Sequence, residues 1–287
     1  MDLSIIIPSF NTKDLLDRCL SSIYESLEKS NLSFEAIVVD NASTDGTVEL
    51  LNKKYPRVIK IFNHENLGYG KANNLGIKKA KGEYILLLNS DIKVLDKAIE
   101  NLFEFTRLHS DSFTGGKLLN EDFSPQSSCG PMLTLPVAAL MLFAKGDYLG
   151  ITRWSPGAVR RVDWVSGSCL MAKKNLFRKV GLFDESIFMY MEEIDLLYRA
   201  SKLGYNTFFV PEARFIHSGA ASSGSRKQPV LNIYRGLLYF YKKHRSIMEL
   251  NLLKMCLRLK ALIAICAGRI LGRTDLLSIY EEAFRLV

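Results

Sequence analysis

Three short polar clusters stand directly behind apolar runs: Pro8-Ser9-Phe10-Asn11, Asp40-Asn41-Ala42-Ser43 and Asn89-Ser90-Asp91. Their carboxylate, amide and hydroxyl groups can hydrogen-bond a base, a ribose or a phosphate, and the carboxylates can ligate a hard cation. Each cluster alone is an ordinary turn, because Pro, Asn, Asp and Ser set and cap turns. Three brought together, two of them acidic, point to a nucleotide pocket.

The chain between the clusters must bring them together. Residues 3–7, 35–39, 58–62 and 84–88 read as buried strands. Helical stretches lie between and after them: Leu15 to Ile23 on one apolar face, a second with Val48, Leu50 and Leu51, then 69–80 and 95–108. Asn11-Thr12 and Ser43-Thr44-Asp45 are placed to cap the first two helices. Continuous apolar strands alternating with helices predict a parallel sheet covered on both faces. Ligands bind such sheets at the carboxyl ends of the strands, where all three clusters fall. No GxxxxGK[ST] stretch occurs, which argues against a P-loop NTPase. Asn66-Leu67-Gly68-Tyr69-Gly70-Lys71 starts like a dinucleotide fingerprint, but Asn73 takes the third glycine position and the stretch follows the third strand.

At 287 residues, with 48% hydrophobic and 24% charged residues, the chain suits one large globular domain or a domain with an appendage. Five cysteines without a CxxC pair read as reduced core thiols of a cytoplasmic protein. Met1-Asp2-Leu3 leads straight into a strand, with no secretory signal visible. The net charge of +8 is concentrated: residues 226–273 hold eleven Lys/Arg against Glu249, while the remaining residues have a small negative balance. That pattern suits an acidic surface, either membrane or nucleic acid.

In order and spacing, the segments resemble family 2 of the inverting glycosyltransferases, and most closely bacterial rhamnosyltransferase-type enzymes of polysaccharide assembly. The resemblance rests on Ser4 to Asn11, Val38 to Gly46, Asn66-Leu67-Gly68 through Gly76, Leu87 to Asp91, Ser166 to Leu170, Gly181 to Glu185, Glu192 to Leu196, and Pro211-Glu212-Ala213 through His217. It implies an α/β GT-A fold with a mainly parallel central sheet, a catalytic domain over 1–225 and a basic helical segment over 226–287. Within the domain, 1–112 is the nucleotide-sugar half and 113–225 the acceptor and catalytic half.

The resemblance also implies roles. The donor is a nucleoside-diphosphate sugar, dTDP- or UDP-linked, assisted by Mg²⁺ or Mn²⁺. Asp91 matches the last residue of the family's DxD motif and is the expected metal ligand. Asn89 replaces the first Asp and is expected, with Ser90, to bind donor rather than metal. Asp40 falls where the family binds the nucleobase, and its carboxylate can accept a pyrimidine imide N–H. Pro8, Ser9 and Asn11 line that pocket, and Lys71 is placed near the diphosphate. The stretch Phe188 to Asp195 matches the acidic motif that supplies the general base. Glu193 is the first candidate, although the family commonly has Asp there, and Glu192 and Asp195 stay open; an acidic helix start is also ordinary dipole complementation. His217 is expected as a metal ligand, and Ser218 to Gly224 as a lid.

The basic tail has no run of about 18 uncharged apolar residues, so a spanning helix is not expected. A helix lying in a membrane interface fits its mixture of apolar residues and lysines or arginines. The alternatives are packing on the catalytic domain or against a second copy in a homodimer. Residues 131–144 read as a helix near the acceptor side. Together these features point to a cytoplasmic enzyme on the inner face of the cell membrane, moving a sugar such as rhamnose to a glycan or polyprenyl-linked acceptor, with no nucleic acid involved. A sugar-1-phosphate nucleotidyltransferase and a non-enzymatic basic binding module are the competing readings. The first lacks its glycine-rich, basic N-terminal loop here.

Overall fold

The structure, a computed structural model, describes residues 1–219 and 227–287. From the N-terminus, β1 (Leu3–Ser9), α1 (Lys13–Leu27), β2 (Phe34–Asp40), α2 (Thr47–Lys54), β3 (Ile59–Phe62), α3 (Tyr69–Lys79) and β4 (Tyr84–Leu88) alternate. The next elements are β5 (Ile92–Val94), α4 (Ala98–Leu108), β6 (Ser112–Leu119), β7 (Cys129–Gly130), α5 (Leu135–Phe143), β8 (Arg160–Val162), β9 (Trp164–Val165) and β10 (Cys169–Lys173). After α6 (Lys174–Val180), α7 (Glu192–Lys202) and β11 (Asn206–His217), the chain closes with α8 (Lys227–His244), α9 (Ile247–Ile270) and α10 (Thr274–Arg285).

Among the described residues the central sheet has nine strands, ordered β3-β2-β1-β4-β10-β6-β11-β5, with β8 beside β11. β3, β2, β1 and β4 are mutually parallel, as are β6 and β11, while β10, β5 and β8 run antiparallel to their neighbours. Alternate residues of one strand serve opposite cores. Ile6 packs in a core with α3, α6 and α7, whereas Ile5 and Ile7 pack in another with α1 and α4. Burial on both faces is why these strands are continuously apolar.

Three local details differ from the sequence expectation. The helix predicted from residue 95 begins at Ala98, because Ile92–Val94 pairs with Phe215 to His217 and Asp96 turns the chain at φ 45°. Thr12 makes no cap to α1; Asp45 instead accepts the Lys13 N–H at 2.8 Å, so the cap comes from the neighbouring loop. The helix at 131–144 is shorter, over Leu135–Phe143, and packs on α9.

The C-terminal helices are built into the body. Leu231, Leu237, Phe240, Leu253 and Leu257 belong to the core that contains Ile6 and Leu196. The expected boundary at 225/226 lies outside the described residues, as does most of the expected lid. A buried ionic cluster adds to the attachment. Asp195, fully buried, accepts from Arg199 Nε at 2.8 Å, Lys243 Nζ at 2.8 Å and His244 Nε2 at 2.6 Å. Lys243 also meets Asp184 at 2.6 Å, and Tyr239 donates to the same carboxylate at 2.8 Å. Burial works to raise the Asp195 pKa, but hydrogen bonds from Lys243 and His244 and the Arg199 charge outweigh it and hold the carboxyl below its ordinary range.

Asp195→Asn leaves the Arg199 guanidinium without its counter-charge and Lys243 with Asp184 alone, and should lower unfolding free energy by about 3–5 kcal/mol, read by urea denaturation. Because the folded pKa is depressed, the Asp195 contribution is full above the unfolded value of about 3.9 and is lost as pH falls through the folded one. Stability of the Asn variant should therefore fall less steeply below about pH 4 than that of the parent.

Candidate active site

The carboxyl ends of β1 and β2 are tied together before any ligand arrives. Ser9 and Asp40 are register partners, and the Asn41 N–H donates to the Ser9 carbonyl at 2.8 Å. Asn11, at φ 51°, receives the Thr44 N–H on its Oδ1 at 2.8 Å and donates its own N–H to Ser43 Oγ at 2.9 Å. Thr12 Oγ1 links the adjacent strand end, donating to Ser90 Oγ at 2.9 Å and lying 3.1 Å from Ser9 Oγ. Asp40 is 2% exposed; its Oδ2 accepts the Ser43 N–H, while Oδ1 is buried without a partner. An orphaned carboxylate oxygen is costly, and it suits an N–H brought by a ligand.

The end of β4 makes a second group with the end of β11. Asp91 Oδ1 lies 3.4 Å from His217 Nε2, and both side chains are largely buried. Asn89 Nδ2 donates to Ser168 Oγ at 3.0 Å and sits 3.5 Å from the same His217 nitrogen, leaving Asn89 Oδ1 buried and unpaired. The tautomer of His217 follows from Gln126. Gln126 Nε2 donates to the Asn120 side-chain oxygen and the His217 carbonyl, each at 2.7 Å, so Oε1 is the atom 2.9 Å from His217 Nδ1. An acceptor there requires Nδ1–H and puts the lone pair on Nε2, towards Asp91. Burial lowers the His217 pKa, partly offset by the Asp91 charge, which favours the neutral ring.

A carboxylate and an imidazole lone pair facing one point fit a divalent cation whose other ligands are phosphate oxygens. Among the described residues no group of three or more His, Cys, Asp or Glu converges, so the protein alone would supply a partial shell. Lys71 lies in the first turn of α3, half-buried and without an ion-pair partner among the described residues.

The third group opens α7. Tyr190 and Met191 both have positive φ, 67° and 77°, a conformation costing about 1–3 kcal/mol per non-glycine residue. Two glycines admit that turn: a Cβ on Gly68 would lie 2.3 Å from the Phe188 carbonyl oxygen, and one on Gly236 of α8 would lie 2.6 Å from Met191 Cγ. The turn lets α7 begin at Glu192, so Glu192 and Glu193 both stand in its first turn. Burial pushes the Glu192 pKa well up, the Glu193 charge adds to this, and its Oε2 has no partner. Burial raises Glu193 as well, but backbone N–H groups of α7 and Gly167 and the Arg153 charge oppose it. Glu193 is also the more exposed of the two.

Gly167-Ser168 joins the groups. Ser168 faces Asn89 and His217, while the Gly167 carbonyl accepts from Tyr69 Oη of α3. Asp195 stands apart. Two residues along a helix from Glu193, it points to the opposite side and into the α8 cations, a consequence of helical spacing alone. Gln126 and Arg153 had no role in the sequence reading. Arg153 acts electrostatically on both Glu193 and His217, stacks over Trp164 and keeps a buried, unpartnered Nε. Both lie in the stretch 113–165, which offered no motif.

The family profile described as Glycosyl transferase family 2 matches residues 4–122, which hold the first group and Asn89 and Asp91 of the second, but not Gln126, Ser168 or His217. The N-acetylglucosaminyl-diphospho-decaprenol L-rhamnosyltransferase of Mycobacterium tuberculosis H37Rv is 29% identical over 242 residues, covering 77% of this chain and 78% of that protein. Among solved structures, GalNAc-T7 with UDP, GalNAc and Mn²⁺ superposes with a TM-score of 0.59 at 18% identity, over 84% of this chain and 50% of that one. The mannosyltransferase PcManGT from Pyrobaculum calidifontis, in complex with GDP-Man and Mn²⁺, gives 0.58 at 16% identity, over 98% and 73%. Residues 4–122 carry a family 2 glycosyltransferase domain, and the chain has the GT-A fold.

Proposed function

We propose that the chain is an inverting hexosyltransferase that moves a sugar, rhamnose being the first candidate, from a dTDP- or UDP-sugar to a polyprenyl-linked or cell-surface glycan. The observation that carries this reading is the single wall Asn89-Ser168-Gly167. It links the Asp91–His217 pair to the Glu193 carboxylate through two adjacent residues, Ser168 beside Asn89 and His217, and Gly167 with its N–H on Glu193. The rhamnose assignment and the lipid-linked acceptor rest on the mycobacterial relative's named activity.

In this reading Asp40 Oδ1 accepts the imide N–H of the pyrimidine, and Ser9 and the Asn11 loop hold the ribose. Asn89, Lys71 and Arg153 face the diphosphate. Glu193 takes the proton of the acceptor hydroxyl as its oxygen bonds to the anomeric carbon and the bond to the leaving diphosphate breaks, which inverts that centre. Glu192, kept protonated by burial, leaves Glu193 the proton acceptor of the pair. Mg²⁺ or Mn²⁺ held by Asp91 and His217 would neutralise the negative charge gathering on the diphosphate. Such an acceptor places the enzyme on the cytoplasmic face of the cell membrane as a peripheral protein. Among the described residues no helix is long and apolar enough to cross a membrane.

Glu193→Gln should lower kcat by about 10²–10⁴ with donor binding retained by calorimetry; a fall of less than tenfold would reassign the base. The base must be ionised, so in the parent kcat/KM should rise with pH through an inflection above the ordinary glutamate value of 4.5, and this limb should be missing in the variant's residual rate. Asp91→Ala and treatment with a chelator should each suppress nucleoside-diphosphate release about 100-fold or more, with Mn²⁺ restoring only the chelated parent. Gly236→Ala pushes on Met191 and should lower kcat while leaving the donor Kd unchanged, measured on the same preparation.

A further inference from the structure

α9 is apolar on two opposite faces. One face, with Leu250, Leu253, Leu257, Ala261 and Ile265, is buried against the body. The other carries Met248, Leu252, Met255, Leu259 and Leu262, spaced alternately four and three residues apart, with Ile270 at the far end. All six are exposed, Met248 and Met255 by about two thirds and Ile270 by 85%. At 1.5 Å per residue the stripe runs about 33 Å along the helix. Isolated exposed apolar side chains are normal, but a continuous stripe marks an interaction surface.

The residues beside the stripe identify its occupant. Lys254, Arg258, Lys260 and Arg269 lie along α9, and no acidic residue occurs between Glu249 and Asp275. Arg258 also donates to Val287 O at 2.9 Å. A second copy seated on this stripe would set basic flank against basic flank, with no acidic residue of either α9 beyond Glu249 to compensate. An apolar stripe whose charged neighbours on α9 beyond Glu249 are all cations matches an anionic lipid surface, with acyl chains below and phosphate headgroups at the sides. α5, packed on α9, adds exposed Leu140 and Phe143 nearby.

We infer that α9 lies in the plane of an anionic bilayer, with the Met248–Ile270 stripe inserted among the lipids and its opposite face holding the catalytic body. This docking surface rests on the membrane-presented acceptor proposed above only for its purpose. Its geometry is independent of the donor site.

The test is co-sedimentation of the full chain with vesicles of phosphatidylcholine alone or mixed with phosphatidylglycerol, with UDP and dTDP binding measured in parallel. The full chain should sediment with the mixed vesicles. The triple variant Met255→Glu, Leu259→Glu, Leu262→Glu should lose this by about tenfold or more, with nucleotide binding unchanged because all three side chains are exposed. No sedimentation of the parent, or sedimentation undiminished in the triple variant, overturns the inference. Equal binding to phosphatidylcholine alone overturns its anionic part. A dimer in sedimentation velocity that the triple variant abolishes, without vesicle binding, overturns it in favour of a second copy. Absent nucleotide binding with vesicle sedimentation intact would instead count against the donor-site reading.

Discussion

The placement of the acidic pair that opens α7 depends on a backbone constraint, the two successive left-handed residues Tyr190 and Met191. Neither is a glycine, so the conformation persists only because surrounding structure enforces it. Gly68 at the start of α3 leaves room for the Phe188 carbonyl, and Gly236 of α8 leaves room for Met191. The turn in return lets α7 start at Glu192, where first-turn N–H groups and the positive end of the helix face the carboxylates. The placement of Glu192 and Glu193 thus depends on glycines 168 residues apart in sequence, one ahead of the carboxylates and one behind them.

The pocket's charges are arranged in unlike pairs. Glu192 and Glu193 are neighbours, yet burial separates them: one is enclosed with an unpartnered oxygen, and the other has backbone donors and an arginine within electrostatic reach. Across the Gly167-Ser168 wall, Asp91 faces an imidazole whose free lone pair is set by Gln126. Asn89, standing where the resembled family has a second carboxylate, keeps hydrogen-bonding capacity while removing a negative charge beside Asp91. In the proposed reading a donor diphosphate would meet fewer like charges there.

The C-terminal helices join both aspects of the molecule. Through Lys243 and His244 they hydrogen-bond the buried Asp195 of α7, and through Gly236 they support the turn in front of it. Their other side leaves an apolar stripe uncovered. What touches that stripe is separated from Glu193 by two helices, α9 and α8, packed in one core that also contains residues of α7.

The chain's alternation of apolar runs with amphipathic stretches was enough to place β4 to the residue and α3 to within one, because two-sided burial leaves few other ways to dispose of such strands. The ordered polar clusters likewise located Asp40, Asn89 and Asp91 at strand ends, where a parallel sheet offers polar groups to a ligand, while Glu193 and His217 were singled out only by the family resemblance. Three-dimensional packing decided the rest. Asp195 became a structural ion-pair centre because helical geometry turns it away from Glu193 and α8 delivers cations to it. Gln126 and Arg153 acquire roles only through contacts and fields across long stretches of chain, which no local spacing encodes. For α9, composition announced an apolar and basic helix. Only tertiary packing, by covering one of its two apolar faces, determined which residues belong to the core and which are left for a partner.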